Sequence, residues 1–520
     1  MKTFLQKFAM VISGVLQGFD RVVFKGKLPQ LYSRDGMNCY MAANHILLKE
    51  FKTHAHDMTR RVVEASLVSR AKALERFRYL NSSHASKEEV ARQFAKKHLV
   101  QEGLVCVLQC VEPCWTFDLA KRENGKLTVR GEPGKCSQLY HYYLHPQFGW
   151  MYVRLQTWFP FEIQVGINGR EWLGRQMDRE KLPYQRSDNK FLGVEDWTRA
   201  QQLLDEQLRT NWVNELNALQ EQVHPLHPGH LGRLPLHYNW TVYQSEWATD
   251  VAFRSQAELE RLFDRWLRQG FLNYDSVNVL RFLGRSGQTR MNGVTDVETN
   301  VRGYFEGKRI KHWVNHNSLK LYNHHNVLRP ETTINDPKGF RVYRTAENNP
   351  EGAKAWRVLR RSVADLYRRA EVSQKANDRY LEALATMVET QTVKELAEPL
   401  TRRVPEPNSS SGRKMRGLNP LAAEDAALLV AVSDPRWMVN GLRNRDLVAM
   451  LYRSQAKDDQ ERRRRSAHAT RLLRLLRAHG LLQKVPHTHR YQVGADARTT
   501  IHALLAARNA NPDELTAKAA

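Results

Sequence analysis

Four carboxylates sit in apolar, strand-like sequence: Asp20 in GFDRVVF, Glu162 in FPFEIQV, Asp250 in WATDVAF and Glu331 in LRPETTI. An acid in such a setting is costly unless it meets a cation, a hydrogen-bond donor or a metal. If two or three of these converge, they supply hard oxygen ligands for Mg2+ or Mn2+, and two ions held about 4 Å apart would activate water for phosphodiester cleavage. The competing expectation pairs each acid with an arginine such as Arg21, Arg154 or Arg329, or leaves it on a solvated strand face.

The segment NSLKLYNHHNVLRPETTIND turns a strand carrying Lys320 and Tyr322 back onto one carrying Arg329 and Glu331. Across such a hairpin the four side chains lie close together. Lys320 and Arg329 would neutralise a scissile phosphate, Tyr322 is the candidate nucleophile, and Glu331 with Asp250 completes the expected catalytic set. Over residues 317–335 this order of a basic residue and tyrosine, then an arginine and glutamate, resembles the replication initiation factors of rolling-circle plasmids. The resemblance implies a metal-assisted nicking and joining enzyme whose tyrosine forms a phosphotyrosyl intermediate. The chain departs from that pattern in one respect: it has no metal-binding His-x-His on a hydrophobic strand. His54 and His56 fall in a polar helical stretch, and His141 and His145 stand four apart among aromatics.

Other chemistries are disfavoured. Cys106, Cys110 and Cys114 with Cys136 and His141 are spaced more widely than zinc knuckles and lie in strand-like sequence, so buried free thiols are expected rather than zinc. No Gly-rich phosphate loop, GxSxG or CxxC occurs. Three aromatic and basic groups are candidates for base stacking: Trp172 with Arg170 and Arg175, Trp266 with Arg265 and Arg268, and Trp313 with Lys311 and His312.

A second chemistry-bearing region is ERRRRSAHATRLLRLLRAHGLLQKVPHTHRYQV, from Glu461 to Val493. Leu472, Leu473, Leu475 and Leu476 seat one helix face in a core, which leaves Arg462, Arg463, Arg464, Arg465, Arg471, Arg474 and Arg477 for nucleic acid. The helix should stop at Gly480, and LLQKV and RYQV then alternate as two strands that carry Lys484, His487, His489 and Arg490 around the turn. Two shorter helices are expected upstream, Leu421 to Val432 and Arg443 to Tyr452. From Leu418 to Arg508 this order resembles winged helix-turn-helix DNA-binding domains, which implies DNA contact through the arginine helix and the wing.

The rest of the chain must position these groups. With 520 residues, 42% of them hydrophobic, it can bury several cores, and a net charge of +25 favours a polyanionic partner. DNA is the expected partner, with RNA or single strands as the variants; no run is long enough to span a membrane. Five cysteines without a disulfide pattern point to a cytoplasmic home. Periodicity predicts an α+β protein. Its parts are a mainly helical region over 1–99, an α+β body with a central mixed or antiparallel sheet over 100–345, a basic helical segment over 346–400, a Pro/Ser/Gly linker over 401–417, the winged-helix region over 418–508 and a tail over 509–520. Phe4 to Leu16 reads as an amphipathic helix and VNVLRFLG as a strand. Matched tryptophans, valines and acids, Val153 with Val242, Trp158 with Trp247 and Glu162 with Asp250, hint at a duplicated half. The expectation is a DNA-processing protein of a mobile element or replicon; the alternative is a non-enzymatic nucleic-acid binder, either a regulator or an RNA-associated protein.

Overall fold

The computed structural model describes the chain apart from residues 122, 225–233, 235, 273, 275, 285–296, 305–306, 347–348, 387–392, 407–413, 435, 438–440, 453, 487 and 512–520. It divides into two compact units, Met1–Thr386 and Met387–Ala520. The composition shifts near 99 and 345 therefore do not mark the edges of compact units. Both fall inside the first one, because a single sheet draws on residues from either side of them.

That sheet has eleven strands. The short helix α1 (Lys2–Lys7) leads into the long strand β1 (Ile12–Lys27), so the helix expected through Leu16 ends nine residues sooner and its apolar remainder becomes strand. Helices α2 (Arg34–Ala43), α3 (Phe51–Ala65) and α4 (Val68–Ala73) precede the edge strand β2 (Phe77–Tyr79) in the chain, and α5 (Lys87–Lys97) follows it. The meander β3 (Gly103–Lys121), β4 (Leu127–His145), β5 (Gly149–Gln156) and β6 (Ile163–Asn168) follows, and β6 returns antiparallel beside β1. After α6 (Gly169–Glu180), the hairpin β7 (Tyr184–Ser187) and β8 (Lys190–Val194), α7 (Trp197–Asp205) and α8 (Trp212–Val223), the second long strand β9 (Asn239–Phe253) pairs antiparallel with β1. Then α9 (Gln256–Leu272) and α10 (Ser276–Phe282) precede a second meander, β10 (Val297–Tyr304), β11 (Gly307–Val314), β12 (Asn317–His324) and β13 (Val327–Ile334), and β13 returns beside β9.

Each half is thus a long strand, helices and a four-strand meander whose last strand rejoins the first, and the two long strands pair at the centre. The repeat hinted at by the sequence exists as topology, but its equivalent strands are β1 and β9. The stretch 150–168 that matched β9 by composition forms β5 and β6 instead. VNVLRFLG forms α10 rather than a strand; its Val279, Leu280, Phe282 and Leu283 are all buried, at helical spacing.

The remaining part of the first unit is a small hairpin, β14 (Arg341–Arg344) with β15 (Ala355–Val358), and the helix α11 (Leu366–Ala385), which packs across β13 and β9. The expected basic helix through Ala355–Val358 is therefore strand at its start.

The second unit comprises α12 (Val393–Thr401), the short pair β16 (Val404–Pro405) and β17 (Lys414–Met415), α13 (Ala423–Ser433), α14 (Asn444–Leu451), α15 (Asp459–Ala478), the hairpin β18 (Leu482–Lys484) and β19 (Tyr491–Val493), and α16 (Ala495–Asn509). Leu473, Leu475 and Leu476 of α15 enter its core together with Leu428, Leu447, Leu482 and Ile501, and Leu472 packs at the edge. Gly480 has a left-handed φ of 73°, the geometry of a glycine helix stop. Much of the expected linker and most of the tail lie outside the described residues.

Candidate catalytic cluster

The hairpin β12–β13 turns at His325, whose φ is 51°, and its register sets Lys320 opposite Glu331 and Tyr322 opposite Arg329. Strand alternation puts all four on one face. The ladder from β13 to β9 runs from Leu328, opposite Val251, to Glu331, opposite Ala248, and skips Arg329 and Pro330. Proline has no N–H to give, so the sheet is interrupted where Arg329 reaches Asp250. On the other side of β9, the β1 ladder shifts between Phe19 and Arg21, and Asp20 is the extra residue there.

Arg329 is fully buried and organises the site. Its Nε and Nη2 donate to the two carboxylate oxygens of Asp250, the Nη2 contact measuring 2.8 Å. Nη1 donates to Asp20 Oδ1 at 2.7 Å and lies 3.4 Å from the Tyr322 hydroxyl, while Nη2 also reaches the Asn189 carbonyl. All five guanidinium donors are thereby engaged. Asn189 sits at the tip of the β7–β8 hairpin, where Asp188 takes a left-handed φ of 51°, and its amide donates to Asp20 at 3.3 Å. Arg170, also fully buried, lies 3.2 Å from Asp250. Asn168 caps its helix, and Gly169 lets that helix approach β1 so closely that a Cβ would stand 2.1 Å from the Phe19 carbonyl. Nε and Nη1 of Arg170 have no hydrogen-bond partner among the described residues.

Beside this lies the candidate nucleophile. The Tyr322 hydroxyl donates to Glu331 Oε2 at 2.7 Å, and Lys320 Nζ meets Glu331 Oε1 at 2.5 Å and Glu246 Oε1 at 3.7 Å. Burial, reinforced by the charges of Glu331 and Asp20, pushes the Tyr322 phenol well above its ordinary range even though Arg329 opposes the shift. Burial would also raise Asp20 and Glu331, but neighbouring cations outweigh it: Arg329, Arg170 and Arg21 hold Asp20 below the usual carboxylate range, and Lys320 does so chiefly for Glu331. Lys320 is raised, since the two glutamates overcome its burial. Glu246 is raised by burial and by Glu331. At neutral pH the cluster therefore holds a protonated phenol on an ionised glutamate, flanked by an ammonium and a guanidinium.

Of the four acids expected as metal ligands, Asp20, Asp250 and Glu331 do converge and Glu162 does not. Glu162 belongs to a separate cluster in the first half, with Lys25 at 2.8 Å, Arg154 at 3.3 Å and the Tyr32 hydroxyl at 2.6 Å. The residues fit a divalent ion poorly as arranged. The Arg329 guanidinium occupies the space between Asp20 and Asp250, the Lys320 ammonium that between Glu246 and Glu331, and no three acid, His or Cys groups among the described residues are placed to hold an ion.

The sequence placed Arg170 only beside Trp172 as a base-stacking candidate, and it left Glu246 and Asn189 out of the site. A cation placed at the positive end of a helix, as Arg170 is, was a usable signal, because it needs an acid to offset the dipole. Glu246 in YQSEWATD satisfied the same strand-acid rule that selected Asp250. Asn189 in a hairpin tip carried no signal.

The other expected sites separate by exposure. Trp172 and Trp266 are core residues, so neither can stack a base; Trp313 is partly exposed, with Lys311 Nζ 3.3 Å from its ring centre. Cys106 and Cys110 are buried beneath α5, and burial pushes both thiols up to about 12. On α15, Arg462, Arg463, Arg464, Arg471 and Arg474 are exposed, Arg477 is half-buried, and Arg465 is turned back onto Glu461 and the Ser454 carbonyl. Lys484 and His489 are exposed on the hairpin and Arg490 is half-buried, whereas His487 lies outside the described residues.

Comparison with family models, with curated proteins and with solved structures finds no match to this chain. Among the described residues no helix is long and apolar enough to cross a membrane.

Proposed function

We propose that this chain is a DNA-processing protein of a replicon or mobile element, acting in the cytoplasm, in which Tyr322 attacks a phosphodiester and the second unit holds duplex DNA. The observation that carries this reading is the Tyr322 hydroxyl bonded to Glu331, with Lys320 and Arg329 in the same cluster. In the step, a bond forms from Tyr322 Oη to phosphorus and the bond from phosphorus to one sugar oxygen breaks. The phenol proton passes to Glu331 and from there to the departing sugar oxygen. Lys320 and Arg329 offset the charge that grows on the phosphoryl oxygens. The phosphotyrosyl link keeps the bond energy for rejoining. Exposed arginines on α15, with Lys484 and His489 exposed on the β18–β19 hairpin in the order of a winged helix, support duplex binding through the backbone.

A single-stranded DNA library of random sequence, incubated with the full chain and Mg2+ or Mn2+, tests this. A protein–DNA adduct that survives denaturant is expected, and it is lost in Tyr322→Phe. No adduct from the wild type under either metal, or an adduct retained by Tyr322→Phe, overturns the reading.

One observation favours the second reading, a nucleic-acid binder that does not cut. Every donor of Arg329 is already spent on the protein, as in a structural ion cluster. Tight, salt-sensitive DNA binding with intact DNA recovered would select it.

A further inference from the structure

The face of the sheet that bears Tyr322 continues across β9 and β1 into the first half. There it opens into a groove of about 630 Å³, whose walls include Lys25, Lys27, Trp115, Arg154, Gln164 and Tyr243. That volume is within the range of pockets that hold organic ligands.

Its aromatics are not core. Trp115 and Tyr243 are each 43% exposed, although large aromatics are usually buried. Lys25 Nζ lies 4.4 Å from the Tyr243 ring centre and Lys27 Nζ lies 4.3 Å from that of Tyr32, so cations stand beside aromatic rings along the groove. The charges do not cancel. Glu162 is the only acid in the lining, and it is shared by Lys25, Arg154 and the Tyr32 hydroxyl. Lys27 forms no ion pair among the described residues; burial, with its positive neighbours Lys25 and Arg361, pushes its pKa down although the charge of Glu162 opposes the shift.

The groove also leads somewhere. Register sets Lys25 beside Gln164 and Val23 beside Gly166 and Gln244. A smaller trough of about 200 Å³ on this line is walled by Arg21, Val23, Glu88, Tyr152, Gln244 and Glu246. Gly166 is needed there, since a Cβ would stand 2.1 Å from the Tyr152 ring. Glu246 in turn lies 3.7 Å from Lys320, the partner of Glu331.

We infer that this groove binds single-stranded nucleic acid, with bases stacked on Trp115 and Tyr243 and phosphates on Lys25 and Lys27, and leads the strand along the sheet face toward Tyr322. Duplex does not suit it, because paired bases already stacked on each other present no free face to the two aromatics. The inference extends the nucleic-acid reading above but does not depend on cutting.

The test therefore uses the full chain carrying Tyr322→Phe, with anisotropy of labelled oligo(dT) and oligo(U) of about 20 nucleotides, a length that covers one groove with excess. Trp115→Ala and Tyr243→Ala should each weaken single-strand binding about 10-fold while duplex binding stays within twofold. Lys25→Gln with Lys27→Gln should flatten the salt dependence by about 1.4 in the log–log slope, the share of two phosphates on a single strand. Equal losses with oligo(U) support the groove and extend its occupant to RNA; losses confined to oligo(dT) make it DNA-selective. Bromodeoxyuridine photocrosslinks should map to Trp115 or Tyr243. Unchanged affinity in both aromatic variants, or crosslinks found only in the second unit, overturns the inference whatever the fate of the Tyr322 assay.

Discussion

Replacing Arg329 by methionine tests the centre of the cluster most directly, because that one guanidinium serves Asp20, Asp250, Tyr322 and the Asn189 carbonyl at once. Asp250 would keep Arg170 at 3.2 Å, but among the described residues Asp20 would keep as a hydrogen-bond donor only the Asn189 amide at 3.3 Å. Removing one partner from a buried ion pair costs about 3–5 kcal/mol, so a loss of roughly 4 kcal/mol is expected. With a urea slope of about 3 kcal/mol per M, the unfolding midpoint should fall by about 1.3 M. Every tryptophan except Trp437 lies in the first unit, so intrinsic fluorescence reports that unit within the full chain. Adding Asp20→Asn should restore most of the loss, since a neutral amide needs no counter-ion. The pH dependence carries a sign as well. In the wild type Asp20 is held below its ordinary pKa, a stabilisation present above the unfolded value and lost as pH falls through the folded one. Without Arg329 only Arg170, Arg21 and Lys190 oppose burial, so Asp20 rises from its wild-type value and the deficit of the variant should shrink as pH falls from 7. A midpoint shift under about 0.3 M, or no rescue by Asp20→Asn, would refute the claim that the Arg329 charge organises this site.

Arg170→Met should be far milder, within about 1 kcal/mol of wild type by the same urea assay, because Asp250 keeps Arg329 and the two orphaned donors of Arg170 disappear. His141 and His312, buried and held down to about 4, should make the fold acid-sensitive in a defined window. Their neutral forms are favoured in the folded state, so stability is complete above about pH 6.5 and falls as pH drops toward 4, by about 3 kcal/mol for each histidine; His312→Asn should remove its share of that slope in denaturation curves, and an unchanged slope would contradict the assignment. In the second unit, the double change Arg471→Ala with Arg474→Ala should weaken duplex binding uniformly across sequences and reduce the salt slope by about 2, read from titrations at several salt concentrations.

Local pattern carried the hairpin chemistry. Alternation in SLKLYN and VLRPETTI, with a polar turn between, was enough to place Lys320, Tyr322, Arg329 and Glu331 on one face, because side-chain direction in a strand follows from period two. The same rule selected Asp20 and Asp250 as acids needing partners. In the second unit, leucine spacing and Gly480 located α15, since a helix and its stop are set within a few residues of each other. Short apolar runs were less legible: VNVLRFLG fits either period, and its packing as a helix decided the outcome.

What the sequence by itself determined is thus the chemistry available and the local faces that bear it: the acids, the tyrosine on its strand and the arginine-rich helix. The tertiary structure alone decided which acids meet. Asp20, Asp250 and Arg329 are joined because β1 and β9 pair at the centre of the sheet, while Glu162, equally strand-like in sequence, is carried to a different cluster across β6. It also decided what occupies the space between the acids, a guanidinium and an ammonium. The physical reason is range. Strand period and helix caps act over a few residues, whereas the pairing of residue 20 with residue 329 depends on closing a sheet through more than three hundred intervening positions.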